Sequence, residues 1–455
     1  MPAGPPAEPI GAAAAPQNPL AIVRSRGYVS VLVLSALLGV PISAGAFGFL
    51  ALVSELQSLV YTDLPKGLGF HGTPDWWAIP PLAVAGVLVA LTIRYLPGEG
   101  GHRPAEGLKT GGTPSFATVP GVAIAAITSL SLGVVLGPEA PLIALGGGLA
   151  VGVARLLKRG APPSSVAVIG AAGSFAAISE LLGSPLVGAF LLMEASGVGG
   201  PMMGVLLVPG LLSSGIGSLI FTGLGSWTGL GTYSLALNQA PPAGRPTLGE
   251  FGWALVVGVL AALLGEAIRR SALAMQDLVD RHRLPLTVLA GLVVGVTALV
   301  YAELTDRPVT GVLFSGQDAL GPLLDGSAGY TAATLVALLV CKSLAYSVSM
   351  SAFRGGPVFP AVFTGAAGGL ALSHLPGLGT TAGFAMGMGA MAVAMLKLPL
   401  TSVMLASLLL GADGLTVMPL VIVAVVVAYV GTLRLARLPG APPPGARPGP
   451  AAPPA

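Results

Sequence analysis

The chain has 455 residues, of which 54% are hydrophobic and only 9% are charged, and its mean hydropathy is +0.87. No water-soluble domain could bury that much apolar surface, so the composition predicts a protein that crosses a membrane many times. The net charge of +3 is small and dispersed, which argues against a nucleic-acid partner. The single cysteine, Cys341, excludes a disulfide scaffold.

Both ends of the chain are rich in proline and alanine, a composition typical of disordered segments. We therefore predict disordered tails over residues 1–23 and 438–455, and one transmembrane domain over residues 24–437. The first tail has no basic segment in front of an apolar core, so it does not match a signal peptide.

Apolar stretches within this domain predict its helices. The predicted helices cover residues 28–60, 77–96, 118–136, 140–157, 165–182, 185–195, 201–223, 249–277, 284–304, 328–351, 358–373, 380–396, 399–411 and 416–437. Those over 140–157, 185–195, 358–373 and 399–411 begin at or beside a proline and are too short to cross about 30 Å of hydrocarbon. Interrupted helices of this kind face the protein interior and are typical of transporters and channels.

Basic residues collect in some of the connections between these helices. They are Arg24, Arg26, Arg103, Lys109, Arg155, Lys158, Arg159, Arg281, Arg283, Arg434 and Arg437. The positive-inside rule predicts that these connections and both termini lie in the cytoplasm of a cell-membrane protein. Trp76 and Trp77 fit an aromatic belt at the other face.

The segment Gly137-Pro138-Glu139-Ala140-Pro141 places a carboxylate between two apolar runs, where an ionised group is costly. Gly137 ends one helix, and Pro138 favours the first turn of the next. The first amides of a helix are unpaired and carry the positive end of its dipole, so this start predicts an anion site. Glu139 would gate the site by occupying it or leaving it. The alternative is that Glu139 only stabilises its own helix.

A segment of the same form recurs as Gly356-Pro357-Val358-Phe359-Pro360. Each copy is followed by a small-residue patch and then by a Pro-Leu helix start, which predicts duplicated halves over residues 28–223 and 249–437. If the halves are inverted, the two helix starts enter from opposite faces and meet near the midplane. Two positive helix ends at one point make a stronger anion site than either alone.

These segments resemble motifs of the CLC family of chloride channels and anion/proton exchangers. The family's G-K/R-E-G-P motif corresponds to Gly137–Pro141, its G-G-x-F-x-P motif to Gly355–Pro360, and its N/S-x-P-L-x-G helix to Gly183–Gly188. The resemblance extends over residues 28–430. It implies an all-α polytopic membrane protein, built as an inverted repeat of many tilted and broken helices. It also implies a homodimer with one ion pathway per subunit and a gating carboxylate at Glu139.

The chain departs from the family pattern at several positions. The family's G-S-G-I-P motif is represented at best by Gly101-His102-Arg103-Pro104, which lacks the anion-binding serine. Pro138 and Pro357 each remove a backbone amide at a helix start. The family's proton-relay glutamate falls at Ala195, and its pore tyrosine near the C-terminus has no counterpart.

Permanently charged arginines could compensate for the missing donors, so we expect Arg103 and Arg354 to line the pathway. The predicted anion-binding residues are Gly137, Ala140, Gly356, Val358, Phe359, His102, Arg103 and Arg354. Lys342, a lone cation in an apolar helix, could shape the field of the pathway or extend to the membrane surface.

A proton path would need a second titratable group besides Glu139. Glu194 and Glu180 are the candidates, but Glu194 is one position from the family's relay, and we favour a structural role for it. Glu180 could instead pair with Ser179 or Ser184. The sequence therefore favours passive, channel-like anion flow.

The function predicted from the sequence is transport of a small inorganic anion, chloride first, across a lipid bilayer. The alternatives are a transporter of fluoride, nitrate or another small anion, and a non-conducting scaffold of the same fold. We expect no enzyme, since Ser213-Ser214-Gly215 has no intramembrane histidine to pair with. No cofactor is expected, and the histidines lack a metal-ligand spacing.

Overall fold

A computed structural model of the chain describes residues 22–108, 115–157, 162–197, 202–235 and 242–436, together with the single residues 160, 200 and 237. The predicted tails fall almost wholly on residues outside these ranges, as do Lys109, Lys158, Arg159 and Arg437. The disorder of the tails therefore stays a prediction.

The described residues form helices joined by short turns. The first half contains α1 (Arg26–Ser58), α2 (Leu64–Gly67), α3 (Ile79–Tyr95), α4 (Val119–Ser131), α5 (Glu139–Leu157), α6 (Pro163–Ala177), α7 (Pro185–Ser196) and α8 (Met202–Thr228). The second half contains α9 (Leu248–Arg281), α10 (Arg283–Thr305), α11 (Leu320–Asp325), α12 (Ala332–Ala352), α13 (Val358–Leu372), α14 (Thr380–Leu396), α15 (Pro399–Leu409) and α16 (Gly411–Leu435). The all-α polytopic fold is confirmed.

Among the described residues, 8 helical segments are long and apolar enough to cross a membrane. Shorter apolar helices accompany them, including α7, α13 and α15. One expectation is wrong: the helix predicted over 140–157 is not too short, because α5 has 19 residues and qualifies as a span. The helices predicted over 118–136 and 165–182 are both too long, because α4 ends at Ser131 and α6 ends at Ala177. The end of α4 is set by Gly133, whose φ of 99° is not compatible with a continuing α-helix.

The two halves meet where α5 and α13 begin. The Gly137 amide donates to the Gly356 carbonyl at 2.8 Å, and the Gly356 amide donates to the Gly137 carbonyl at 2.6 Å. The pair forms an isolated antiparallel bridge between equivalent positions of the two repeats. A reciprocal pair of this kind is what a twofold relation between the halves produces, and it agrees with the predicted inverted repeat.

Small residues let α13 pack tightly against α14, and this contact holds the start of α13 in place. Gly365 lies against the Gly387 carbonyl, and Gly369 lies against the Gly383 carbonyl. Each partner glycine in turn lies against the carbonyl of the first. Four glycines spaced in this way allow two backbones to approach each other directly, as in many membrane helix pairs.

We predict that Gly365→Ala lowers stability, because its new Cβ would lie 2.6 Å from the Met391 Cβ and press on the Gly387 carbonyl. Overpacking of this kind costs about 1–3 kcal/mol. Gly368→Ala is the matched control, since its Cβ would meet Leu339 at an ordinary 3.6 Å. Thermal unfolding in detergent measures both. Equal transition temperatures for the two variants would contradict the close packing.

Candidate functional site

Glu139 lies at the point where the two repeats meet, and its side chain is 0% exposed. The carboxylate oxygen Oε1 accepts a hydrogen bond from the Val358 amide at 2.5 Å. Glu139 is the first residue of α5, while Val358 is the first residue of α13. The carboxylate of the first repeat therefore occupies the positive end of a helix in the second repeat.

Two glycines make room for this carboxylate. A Cβ on Gly137 would lie 2.9 Å from the Glu139 carboxyl carbon and 2.9 Å from the Phe359 ring. A Cβ on Gly356 would overlap the same carboxyl group. Any side chain at either position would displace Glu139, so both motifs require glycine there on steric grounds.

The second carboxylate oxygen, Oε2, is buried and has no hydrogen-bond partner in the described part of the chain. No arginine, lysine or histidine of the described residues forms an ion pair with Glu139. Backbone amides, including that of Phe359, supply the stabilisation of its charge. A buried carboxylate that has amides but no cation as partners among the described residues is costly to keep ionised.

Tyr346 belongs to this site, and the sequence analysis missed it. Its buried hydroxyl donates to the Pro357 carbonyl at 2.7 Å, directly before the start of α13, and the charge of Glu139 acts on it. The hydroxyl reaches this point from α12. A phenol 11 residues before Pro357 was the available signal.

A cavity of about 390 Å³ lies beside the site. Its wall includes Leu136 and Pro138, directly before Glu139, together with the polar side chains of Gln57, Tyr233 and Asp318. Gln57 lies at the end of α1 opposite Arg26, so the cavity lies towards the face away from the N-terminal arginines. A second cavity of about 400 Å³ shares Gln57 and Asp318 with it.

Arg103 and Arg354 do not contact the Glu139 carboxylate. Arg103 pairs with Asp280 at 2.8 Å and with Glu99 at 3.4 Å. Arg354 is 3% exposed, and its Nε donates to the Glu99 carbonyl at 3.0 Å. The two arginines therefore gather around the turn that follows α3.

The predicted site residues His102 and Ala140 lie in a loop and in α5. The ring of His102 is hydrogen-bonded to the Gly107 carbonyl of its own loop. Ala140 is the half-buried second residue of α5, beside Glu139.

Glu194 caps α15. Its Oε1 accepts from the Leu400 amide at 3.0 Å, and its Oε2 accepts from the amide and hydroxyl of Thr401 at 2.8 and 2.6 Å. Glu180 accepts from the Ser218 hydroxyl at 2.6 Å, so its partner is neither Ser179 nor Ser184. Both carboxylates therefore have hydrogen-bond donors within the protein.

Lys342 is 0% exposed and does not extend to the surface. Its ammonium donates to the carbonyls of Leu313 at 2.9 Å and Phe314 at 3.2 Å, and it lies 4.6 Å from the Phe363 ring centre. A third, longer contact of 3.4 Å reaches the Gly311 carbonyl. The cation is satisfied by backbone oxygens and an aromatic face.

The fold and this site are typical of membrane proteins that move ions through a pathway between inverted repeats. The model of the voltage-gated chloride channel family matches residues 81–432. The chain therefore belongs to the CLC family.

Known proteins agree with this assignment. YfeO of Escherichia coli O1:K1 / APEC, provisionally named an ion-transport protein, is 27% identical over 359 residues, which are 78% of this chain and 81% of YfeO. The fold is similar to that of a slow cyanobacterial Cl−/H+ antiporter, with a TM-score of 0.71, 20% identity and coverage of 91% of this chain and 96% of the other. A CLC-type fluoride/proton antiporter gives a TM-score of 0.66 at 19% identity, with coverage of 88% and 95%.

We predict that Glu194→Ala lowers the stability of the protein, because α15 loses the acceptor for its first amides. Loss of such a cap costs about 0.5–2 kcal/mol. Thermal unfolding measures this loss, and Glu194→Gln should recover part of the stability because its amide oxygen still accepts. A Glu194→Ala variant with unchanged stability but altered proton movement would contradict the capping role.

Proposed function

We propose that the protein transports a small anion, chloride, across the membrane along a pathway gated by Glu139. The observation that carries this proposal is the hydrogen bond from the Val358 amide to the Glu139 carboxylate. The helix start that should hold an anion is filled by the one acidic side chain that could block it. A carboxylate and a free anion compete for the same amide donors.

The gate follows from the two protonation states of Glu139. The ionised carboxylate holds the Val358 amide and keeps an anion out. The neutral acid is a weaker acceptor, so it releases the amide to a chloride ion that arrives through the cavity beside Pro138. Anion movement therefore increases as the pH falls.

The flow is channel-like, without obligatory proton exchange. This part of the proposal rests on Glu194 and Glu180, because both carboxylates are hydrogen-bonded to local partners. A relay group must gain and lose a proton during each cycle, and protonation weakens a carboxylate cap, because a neutral acid is a poorer acceptor than an ionised one. Chloride is the proposed ion, and fluoride is the alternative, since fluoride is the ion of one protein of similar fold.

The proposed arrangement in the cell follows the charge pattern and the family. Residues 24–437 form one transmembrane domain in the cell membrane, with both termini in the cytoplasm. Two copies form a homodimer, and each copy has its own pathway. Crosslinking in membranes, together with labelling of single cysteines placed in the tails, tests both statements.

We predict that Glu139→Gln and Glu139→Ala remove the pH dependence of anion efflux from liposomes. In the wild type, efflux should increase on acidification by up to about tenfold per pH unit, the limit for one titrating group. Both variants leave the site without a negative charge, so their efflux should be high and independent of pH. Glu303→Gln, which changes an exposed carboxylate on α10, should keep the wild-type profile.

The same assay distinguishes the remaining alternatives. Efflux is measured with chloride, fluoride and nitrate, and a pH electrode records proton movement. Proton movement against its gradient, driven by the anion, would contradict passive flow. An equal pH dependence in the wild type and Glu139→Gln would contradict the gate, and no efflux of any anion would favour the non-conducting scaffold.

A further inference from the structure

Three arginines from distant parts of the chain come together away from Glu139. Arg103 follows α3, Arg283 begins α10, and Arg354 lies in the turn between α12 and α13. We call these three residues the arginine cluster. Arg354 donates to the backbone carbonyl of Glu99, and the carboxylate of Asp280 pairs with both Arg103 and Arg283.

The carboxylates of the cluster do not balance its positive charge. Asp280 accepts from Arg103 at 2.8 Å through Oδ2 and from Arg283 through Oδ1. Within the described part of the chain, Glu99 pairs with Arg103 alone, at 3.4 Å. Among the described residues, Arg354 has no carboxylate partner, and it donates hydrogen bonds to the carbonyls of Glu99 and Phe353. One guanidinium charge is therefore in excess.

Two donors in the cluster are buried and unused. Nη2 of Arg354 and Nη1 of Arg283 are hidden from solvent, and neither has a hydrogen-bond partner in the described part of the chain. A buried donor without an acceptor is rare in folded proteins, and one on a charged group is costlier still. Such a donor indicates an acceptor beyond the described residues.

The unused donors belong to neighbouring cations. The charges that act on Arg354 are those of Arg283 and Arg103, followed by those of Asp280 and Glu99. Two guanidinium groups repel each other at close range, most of all away from water. An anion in contact with both groups would offset the repulsion and accept hydrogen bonds from the unused donors. A water molecule can accept a hydrogen bond, but it carries no charge to offset theirs.

We infer that the arginine cluster is a second anion-binding site, in which Arg354 and Arg283 hold a small inorganic anion. The chemistry differs from that of the Glu139 site, where backbone amides are the donors. Planar guanidinium groups can bind an anion with paired N–H groups, which suits oxyanions such as nitrate and phosphate at least as well as halides. Asp280 is the positioning residue, because it fixes Arg103 and Arg283 with its two oxygens.

The site is connected with the proposed pathway through the backbone. Arg354 lies two residues before Gly356, whose carbonyl and amide pair with Gly137 beside Glu139. An anion at the cluster would therefore stabilise the turn that carries the start of α13. The role of this second site in transport rests on the proposed function, whereas binding itself does not.

The test is anion-dependent thermal stabilisation of the purified full-length protein in detergent. Chloride, nitrate or phosphate replaces gluconate at constant ionic strength, because an anion that binds only the folded state increases the transition temperature with its concentration. We expect the wild type and Glu139→Gln both to be stabilised. Arg354→Gln and Arg283→Gln should show at least a tenfold weaker apparent affinity. The control Arg94→Gln changes an exposed arginine and should behave as the wild type.

Arg354→Lys keeps the charge but loses the planar fork, so it should bind nitrate and phosphate less well than the wild type even if Arg354→Gln does not fold. Wild-type affinity in the folded arginine variants would overturn the inference and assign the unused donors to water. If Arg354→Gln loses binding while Glu139→Gln keeps a wild-type pH profile of efflux, the second site stands and the proposed gate fails. If Arg354→Gln keeps wild-type binding while Glu139→Gln loses the pH dependence of efflux, the proposed gate stands and the second site is excluded.

Discussion

The structure depends on the meeting of two helix starts through the backbone of Gly137 and Gly356. Their two reciprocal hydrogen bonds fix the distance between α5 and α13 without any side chain. That distance lets the carboxylate of one repeat reach the first amide of the other. The features of the site, from the absence of a Cβ at both glycines to the Tyr346 hydroxyl, follow from this contact.

Small residues extend the same principle through the second half. The glycine contacts between α13 and α14 are backbone against backbone, so the position of Val358 is set by rigid parts of the chain. A binding site formed by amides needs this rigidity, because an amide cannot turn towards its ligand as a side chain can. The amide donors are already in position in the folded protein, so binding an anion requires little further loss of conformational entropy.

The sequence predicted those features that depend on residues close to each other along the chain. Glycine and proline act on their own backbone, so the two helix starts, the repeat and Glu139 could be predicted from neighbouring residues. The arginines could not be placed in this way. Arg103 binds Asp280, which is 177 positions away, and no local pattern indicates which distant carboxylate an arginine will meet. Tyr346 was missed for the same reason, since its importance comes from packing between helices.

Lys342 has a consequence for ion selectivity. Carbonyl oxygens that converge on one point normally recruit a dissolved metal cation such as sodium or potassium. Here the ammonium of Lys342 takes that position at the carbonyls of Gly311, Leu313 and Phe314. The cation is tethered to α12, so it cannot be exchanged for one from solution. The Lys342 side chain thus acts as an internal counter-ion, and it fills the place that a cation from either side of the membrane would take.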